Sequence, residues 1–188
     1  MDALLSTLIS VLFAEIGDRS QILAAMLAIQ FRGNRSVLAG LTLATLINCG
    51  LSAFAGSLIN EWISEEPLRL FTALSYIFAG IGMLIWRRRV RMHKDWQWGA
   101  FPVSAVSIFL LQLGDKSQFL IAANAANTPY WGFALAGGFI GIMTACVPAI
   151  VFKEQLAIML PIRKIRIAAG VIMLMWGLFM MLGAFKLI

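Results

Sequence analysis

The sequence of 188 residues carries little charge: 13% is Asp, Glu, Lys or Arg, against about 25% in a typical soluble domain. It contains one histidine and two cysteines, Cys49 and Cys146, both within apolar stretches. A disulfide framework and a Cys/His zinc site are therefore excluded. Hydrophobic residues make up 61% of the chain and the mean hydropathy is +0.87, which excludes a water-soluble fold.

The apolar residues fall into six stretches, each close to the roughly 20 residues that a helix needs to cross a bilayer. We predict helices over residues 3–30, 36–60, 68–86, 100–127, 131–152 and 163–186. No phosphate-binding glycine loop, catalytic triad or zinc-hydrolase motif is present, which disfavours an ATP-driven pump or a hydrolase. The N-terminus lacks the basic region and cleavage signal of a secretory leader, so we expect the first helix to be retained.

The loops between six spans alternate between the two sides of the membrane, and the basic residues fall almost entirely on one side. Eleven lie there: Arg32, Arg35, Arg87, Arg88, Arg89, Arg91, Lys94, Lys153, Arg163, Lys164 and Arg166. The other side has only Arg69 and Lys186. By the positive-inside rule the basic side is cytoplasmic and both termini lie outside. The net charge of +6 thus indicates topology, and no nucleic-acid partner is expected.

The two halves of the chain repeat at an offset of 97 residues. The matching residues are Gly17, Asp18, Ser20 and Gln21 with Gly114, Asp115, Ser117 and Gln118, then Gly40, Cys49 and Gly80 with Gly137, Cys146 and Gly177. We divide the chain into a three-helix repeat (1–87), a basic cytoplasmic linker (88–99) and a second three-helix repeat (100–188). Three spans are an odd number, so the second repeat enters the membrane from the opposite side. The sequence predicts an all-α integral membrane protein of two inverted-topology repeats, an architecture that many secondary transporters share.

Three of the nine acidic residues lie well inside predicted helices: Glu15 and Asp18 in the first, and Asp115 at the equivalent place in the fourth. A charge at the centre of a membrane helix costs about 2.5–3.5 kcal/mol, so these side chains should face the bundle interior. Positions i and i+3 share a helix face, so each half should present one polar row. The rows are Glu15, Asp18 and Gln21, and Gln112, Asp115 and Gln118.

An oxygen-rich cluster without His or Cys favours Ca²⁺, Mn²⁺ or Mg²⁺ over Cu⁺ or Zn²⁺. Ser20 and Ser117 add hydroxyl oxygens to the two rows. Gly17 and Gly114 allow either close helix approach or a local break at this level. The cluster therefore predicts a site for a hard divalent cation.

The segment Glu15-Ile16-Gly17-Asp18-Arg19-Ser20 resembles the motif Glu-x-Gly-Asp-Lys/Arg-Thr/Ser of the Gdt-type cation/proton antiporters. That family includes Golgi manganese/calcium exchangers and bacterial manganese exporters, and its members carry two copies of the motif in inverted three-helix halves. The second copy here, Gln112-Leu113-Gly114-Asp115-Lys116-Ser117, departs from the motif because a glutamine replaces the opening acid. The short chain is similar to the bacterial members, which implies the inner (cytoplasmic) membrane.

The resemblance implies a secondary transporter, and not an enzyme, that exports Mn²⁺, or Ca²⁺ second, in exchange for protons. We expect the metal ligands to be Glu15, Asp18, Gln112 and Asp115, with the three carboxylates also carrying the protons. Neutral ligands, or partners of the ligands, are Ser20, Gln21, Ser117 and Gln118. Arg19 and Lys116 either balance the charge of the carboxylates or pair elsewhere. No permanent cofactor is expected. The expected partners are the divalent cation, protons and the lipid bilayer, and the sequence leaves the formation of a homodimer undecided.

Three alternatives remain at this point. The first is a buried ion-pair network, Asp18 with Lys116 and Asp115 with Arg19, that only holds the helices together. The second is an exporter of small organic cations such as basic amino acids, whose ammonium or guanidinium an acidic cluster also suits. The third is a transmembrane thiol-redox conduit that uses Cys49 and Cys146.

Overall fold

The computed structural model describes residues 2–31, 33–85, 98–153, 155 and 161–186. Eight helices form within these residues. They are α1 (Asp2–Glu15), α2 (Arg19–Phe31), α3 (Asn34–Trp62), α4 (Glu65–Ile85), α5 (Ala100–Gln112), α6 (Lys116–Ala126), α7 (Trp131–Phe152) and α8 (Ile162–Ala184). Four of them, α3, α4, α7 and α8, are long and apolar enough to cross a membrane. Most of the predicted basic linker, 88–99, lies outside the described residues.

Two predicted helices are wrong as continuous elements, because the stretches 3–30 and 100–127 each divide into two shorter helices. Both divisions contain a glycine in the left-handed region, Gly17 at φ +71° and Gly114 at φ +72°. A left-handed residue turns the chain out of the right-handed helix, and glycine adopts it without steric penalty. Apolar patterning does not register so short a break, since the residues on both sides remain hydrophobic.

The helix-face argument for the polar rows is therefore wrong in its geometry. Glu15 ends α1, and Asp18 follows the break, so the two do not lie one turn apart on a single helix. Instead the chain tightens at each break: the Asp18 amide donates to the Glu15 carbonyl at 3.1 Å, and the Asp115 amide donates to the Gln112 carbonyl at 3.1 Å. The two breaks share one local conformation at the offset of 97 residues.

Two helix pairs, each with one helix from each half, pack closely at glycines that are equivalent in the repeat. Helix α3 packs on α5, and α7 packs on α1. A Cβ added at Gly40 of α3 would lie 2.8 Å from the Phe101 carbonyl oxygen and 2.8 Å from the Ala105 amide nitrogen. The same addition at Gly137 of α7 would meet the Leu4 carbonyl oxygen. Small residues thus bring the backbones of the two halves into direct contact, as is common between membrane helices.

The second close contact joins α4 to α8. A Cβ at Gly80 would lie 2.7 Å from the Leu174 amide nitrogen, and one at Gly177 would lie 2.7 Å from the Ile77 amide nitrogen. Gly80 and Gly177 are equivalent at the offset of 97, as are Ile77 and Leu174. The described core is rich in alanine, and many large apolar side chains are exposed on the outside of the bundle, which is the distribution expected in lipid.

Candidate functional site

The first break positions two carboxylates inside the bundle. Glu15, the last residue of α1, is fully buried, and its Oε2 accepts a hydrogen bond from the Ser20 hydroxyl. Its other oxygen, Oε1, is buried and has no hydrogen-bond partner among the described residues. Asp18 lies just before α2 and is 8% exposed. The Glu15 carboxylate at the end of α1 thus lies in the interior with one oxygen that lacks a hydrogen bond. Burying such a charged group costs free energy unless a cation lies nearby.

The second break is held by a chain of directed hydrogen bonds. The Gly114 amide donates to Gln118 Oε1 at 2.8 Å, and Gln118 Nε2 donates to Asn48 Oδ1 at 2.8 Å. Asn48 Nδ2 donates to Gln112 Oε1 at 3.2 Å, and Gln112 Nε2 donates to Thr45 Oγ1 at 3.4 Å. Because a backbone N–H can only donate, it fixes the orientation of every amide that follows. The side-chain amide of Gln112, at the motif's first position, is therefore satisfied, unlike the Glu15 carboxylate at the first break.

The first break has only the beginning of this chain of hydrogen bonds. The Gly17 amide donates to Gln21 Oε1 at 2.8 Å, and Gln21 Nε2 donates to the Ala145 carbonyl oxygen at 2.8 Å. Ala145 occupies the position equivalent to Asn48, so among the described residues the side-chain link onward from that position is present only at the second break. Gln21 and Gln118 thus close the two helix breaks through their amides.

The three interior acids come together. Carboxylate oxygens of Glu15, Asp18 and Asp115 all lie within 4.8 Å of one another. The Ser117 hydroxyl lies 3.4 Å from Asp115 Oδ2. The cluster draws two acids from the first break and one from the second, so a cation held here would be held by both halves. The spacing suits a single ion with several oxygen ligands.

Two basic side chains reach the same cluster. Lys116 Nζ lies 2.5 Å from Asp18 Oδ2 and 3.3 Å from Asp115 Oδ2. Arg19 Nη2 lies 3.3 Å from Asp115 Oδ1. Both ion pairs of the purely structural alternative are therefore present. Three carboxylates against two basic groups leave an excess of one negative charge, and Glu15 is the acid without an ion pair among the described residues.

The two breaks differ in what covers them. A Cβ at Gly17 would lie 2.7 Å from Ile162 Cγ2 and 3.4 Å from Arg166 Cβ, both at the start of α8. Gly114 is exposed, and a Cβ there would have no heavy atom of the described residues within 4 Å. Helix α4 packs on α6, whereas the equivalent pairing of α8 with α2 is at most marginal in the described part of the chain. The cluster is thus covered unequally from its two sides.

Sequence reasoning missed the part played by α3. It assigned no role to Asn48 or Thr45, yet both form hydrogen bonds with the side-chain amide of Gln112. A signal was available at the offset of 97 residues, where these positions correspond to Ala145 and Ile142. The half that has glutamine at the motif's first position thus receives two polar partners for it from the other half. Cys49 and Cys146 are both free and buried.

An apolar helical bundle with a buried carboxylate cluster at two broken helices is the arrangement expected of a secondary transporter. The family model described as "Divalent cation/proton antiporter GDT1" matches residues 3–90 and again residues 100–187. The chain therefore belongs to this family of divalent cation/proton antiporters, as the motif at Glu15–Ser20 predicted. This is a family of transporters and not of enzymes.

Two known protein sequences are similar to this chain. One is a Vibrio cholerae serotype O1 protein named "Putative manganese exporter", which is 28% identical over 179 residues, covering 93% of this chain and 88% of that protein. The other is the "Divalent cation/proton antiporter GDT1" of Saccharomyces cerevisiae, 35% identical over 78 residues, or 42% of this chain and 28% of the yeast protein. No solved structure matches the chain.

Proposed function

We propose that the protein exports a divalent cation from the cytoplasm in exchange for protons, with Mn²⁺ as the first candidate and Ca²⁺ as the second. The membership of a divalent cation/proton antiporter family supports the reaction. The name of the Vibrio cholerae relative supports both manganese and the outward direction. The cation is cargo and not a resident cofactor.

Glu15 is the observation that carries this proposal. A network that served only to hold helices would be expected to satisfy its buried polar atoms, because an unpaired buried oxygen is costly. Pairing Asp18 with Lys116 and Asp115 with Arg19 would complete such a network without Glu15. A third buried carboxylate with an unpartnered oxygen, within 4.8 Å of the other two, is better explained by a cation or a proton that binds there.

We further propose that the chain crosses the inner membrane six times as two inverted repeats, with both termini outside. In this arrangement α1 with α2, and α5 with α6, each make one interrupted crossing. The shared hydrogen bonds and glycine contacts at the offset of 97 residues support the repeat, as does the family model that matches each half separately. The basic residues that the sequence assigns to one side support the orientation.

The proposed ligands are the carboxylates of Glu15, Asp18 and Asp115, with the carbonyl oxygen of Gln112 as a fourth. A carbonyl oxygen has two lone pairs, so the bond from Asn48 leaves Gln112 able to accept a metal contact. Ser20 and Ser117 supply hydroxyls beside the carboxylates, and Gln21 and Gln118 support the site by holding the breaks. Protons compete with the cation for the same three carboxylates, and this competition couples the two fluxes.

Unequal covering of the two breaks supports alternating access. In the proposed topology α1 and α6 form the outer half of the interrupted crossings, and α4 and α8 pack against these two helices. The start of α8, which is the cytoplasmic end of that helix in this topology, covers Gly17, whereas Gly114 is exposed. Movement of the α4 and α8 pair relative to the two breaks would change which side of the membrane reaches the cluster.

The decisive experiment measures Mn²⁺ and Ca²⁺ flux into proteoliposomes, with and without an imposed pH gradient. The variants Glu15→Gln, Asp18→Asn and Asp115→Asn remove one charge each with little change in shape. Glu65→Gln is the matched control, because Glu65 is exposed and pairs only with Arg69 in the described structure. We expect flux that follows the gradient in the native protein and the control, and its loss in the three site variants.

The outcomes also separate the alternatives. Flux of lysine or arginine without any response to Mn²⁺ would establish the organic-cation exporter. Normal transport in all three site variants would show that the cluster is structural. Loss of activity in Cys49→Ser or Cys146→Ser, with the carboxylate variants active, would favour the thiol conduit.

A further inference from the structure

Lys116 lies where the transported cation is proposed to bind. Its side chain is 5% exposed, and its ammonium lies against Asp18 at 2.5 Å and Asp115 at 3.3 Å. Its stem runs past α4, where a Cβ added at Gly82 would lie 3.8 Å from Lys116 Cδ. A buried side chain of the second half thus reaches carboxylates from both halves.

Arg19 occupies the equivalent position in the first half and is placed differently. Its side chain is 32% exposed, and its ion pair in the described structure joins it to Asp115 alone. Solvent screens a partly exposed charge, whereas an ammonium buried among carboxylates interacts strongly with them. Lys116 therefore interacts more strongly with the carboxylates of the site than Arg19 does.

A divalent cation and the Lys116 ammonium cannot share these oxygens. Hard divalent cations bind carboxylate oxygens at about 2.0–2.6 Å. A cation bound to Asp18 and Asp115 at such distances would touch the ammonium, and like charges repel strongly in an environment of low dielectric constant. One of the two must leave when the other binds.

We propose that the Lys116 ammonium is a tethered competitor of the transported cation, a role that rests on the proposed function of this cluster. By occupying the carboxylates it lowers the affinity for the cation, which aids release. It also compensates part of the buried negative charge after the cation has left, and protons compensate the rest, so that the protein can return without the cation. Arg19 does not replace it, because Arg19 lacks the contact with Asp18.

Removal of the ammonium should separate two kinds of transport. Net export requires the protein to return without the cation, whereas exchange of Mn²⁺ for Mn²⁺ requires only the loaded protein to change its access. A protein without the Lys116 ammonium should bind the cation more tightly and should change its access slowly when no cation is bound. It should still exchange Mn²⁺ for Mn²⁺. A lysine that merely stabilised the fold would affect net flux and exchange together.

The test compares Lys116→Met, Lys116→Gln and Lys116→Arg in purified protein and in proteoliposomes. The affinity for Mn²⁺ is measured by titration calorimetry. Net Mn²⁺ flux is measured under a pH gradient. Exchange is measured with radioactive Mn²⁺ when the Mn²⁺ concentration is equal on both sides. For the Met and Gln variants we expect binding tighter by about tenfold or more, which corresponds to about 1.4 kcal/mol. We also expect net flux to fall by about tenfold or more, with exchange retained. Lys116→Arg keeps the charge and should retain net flux.

Two comparisons accompany these variants. Arg19→Met should tighten Mn²⁺ binding less than Lys116→Met does, because Arg19 is partly exposed. Lys186→Met, which removes an exposed pair with Glu66, should leave binding and flux unchanged. Unchanged or weaker Mn²⁺ binding in a folded Lys116→Gln protein would overturn the proposal, as would equal loss of net flux and exchange. Native protein that shows neither Mn²⁺ nor Ca²⁺ flux would instead refute the proposed function itself.

Discussion

The two helix breaks offer a matched pair of substitutions, Gly17→Ala and Gly114→Ala. Both glycines are left-handed, at φ +71° and +72°. An alanine in that conformation costs about 1–2 kcal/mol at either position. Only at Gly17 would the new methyl group also meet a neighbour, at 2.7 Å from Ile162 and 3.4 Å from Arg166. Overpacking of this kind costs a further 1–3 kcal/mol or so.

We therefore expect Gly114→Ala to lower the free energy of unfolding by about 1–2 kcal/mol and Gly17→Ala by about 2–5 kcal/mol. Alanine also reduces the entropy of the unfolded chain, but it does so equally at both positions. The difference between the variants thus isolates the contact of the first break with α8. Gly114→Asn serves as the control for backbone strain, because asparagine enters the left-handed region more readily than alanine.

The assay is reversible unfolding in detergent micelles by titration with SDS, followed by tryptophan fluorescence. Equal losses at the two glycines would refute the contact between Gly17 and the start of α8, and with it the unequal covering of the cluster. Losses below about 0.5 kcal/mol at both would show that neither break is left-handed, since ordinary surface substitutions fall within that range. A smaller loss for Gly114→Asn than for Gly114→Ala would confirm the backbone origin of the cost.

Four further predictions concern α3. Gly56→Ala should destabilise the protein by more than about 2 kcal/mol, because the methyl group would meet a backbone carbonyl of α6. Gly50→Ala on the same helix meets only a side-chain methyl at 3.9 Å and should be neutral or slightly stabilising in the same SDS titration. Asn48→Ala should cost about 1–3 kcal/mol by leaving the buried amide of Gln112 without its donor, and unchanged stability would contradict that bond. Cys49→Ser should retain at least half of the native Mn²⁺ flux, and its abolition would favour a redox role.

The sequence alone determined that this is a membrane protein and which family it belongs to. Low charge and six apolar stretches require a membrane environment, because no soluble fold can expose so much apolar surface. The motif at Glu15–Ser20 and its repeat at Gln112–Ser117 identified the family, which the family model then confirmed. The inward position of the three carboxylates also followed from the sequence, since charge inside an apolar stretch has to face the interior.

The geometry of the site was decided only by tertiary structure. Glycine permits a break without requiring one, so the left-handed conformation of Gly17 and Gly114 depends on the contacts around them. The partners of Gln112 lie 64 and 67 residues away along the chain, and no local pattern records such a contact. The position of Lys116 between two carboxylates likewise arises from the packing of both halves. Composition and spacing selected the groups, and the fold determined which of them meet.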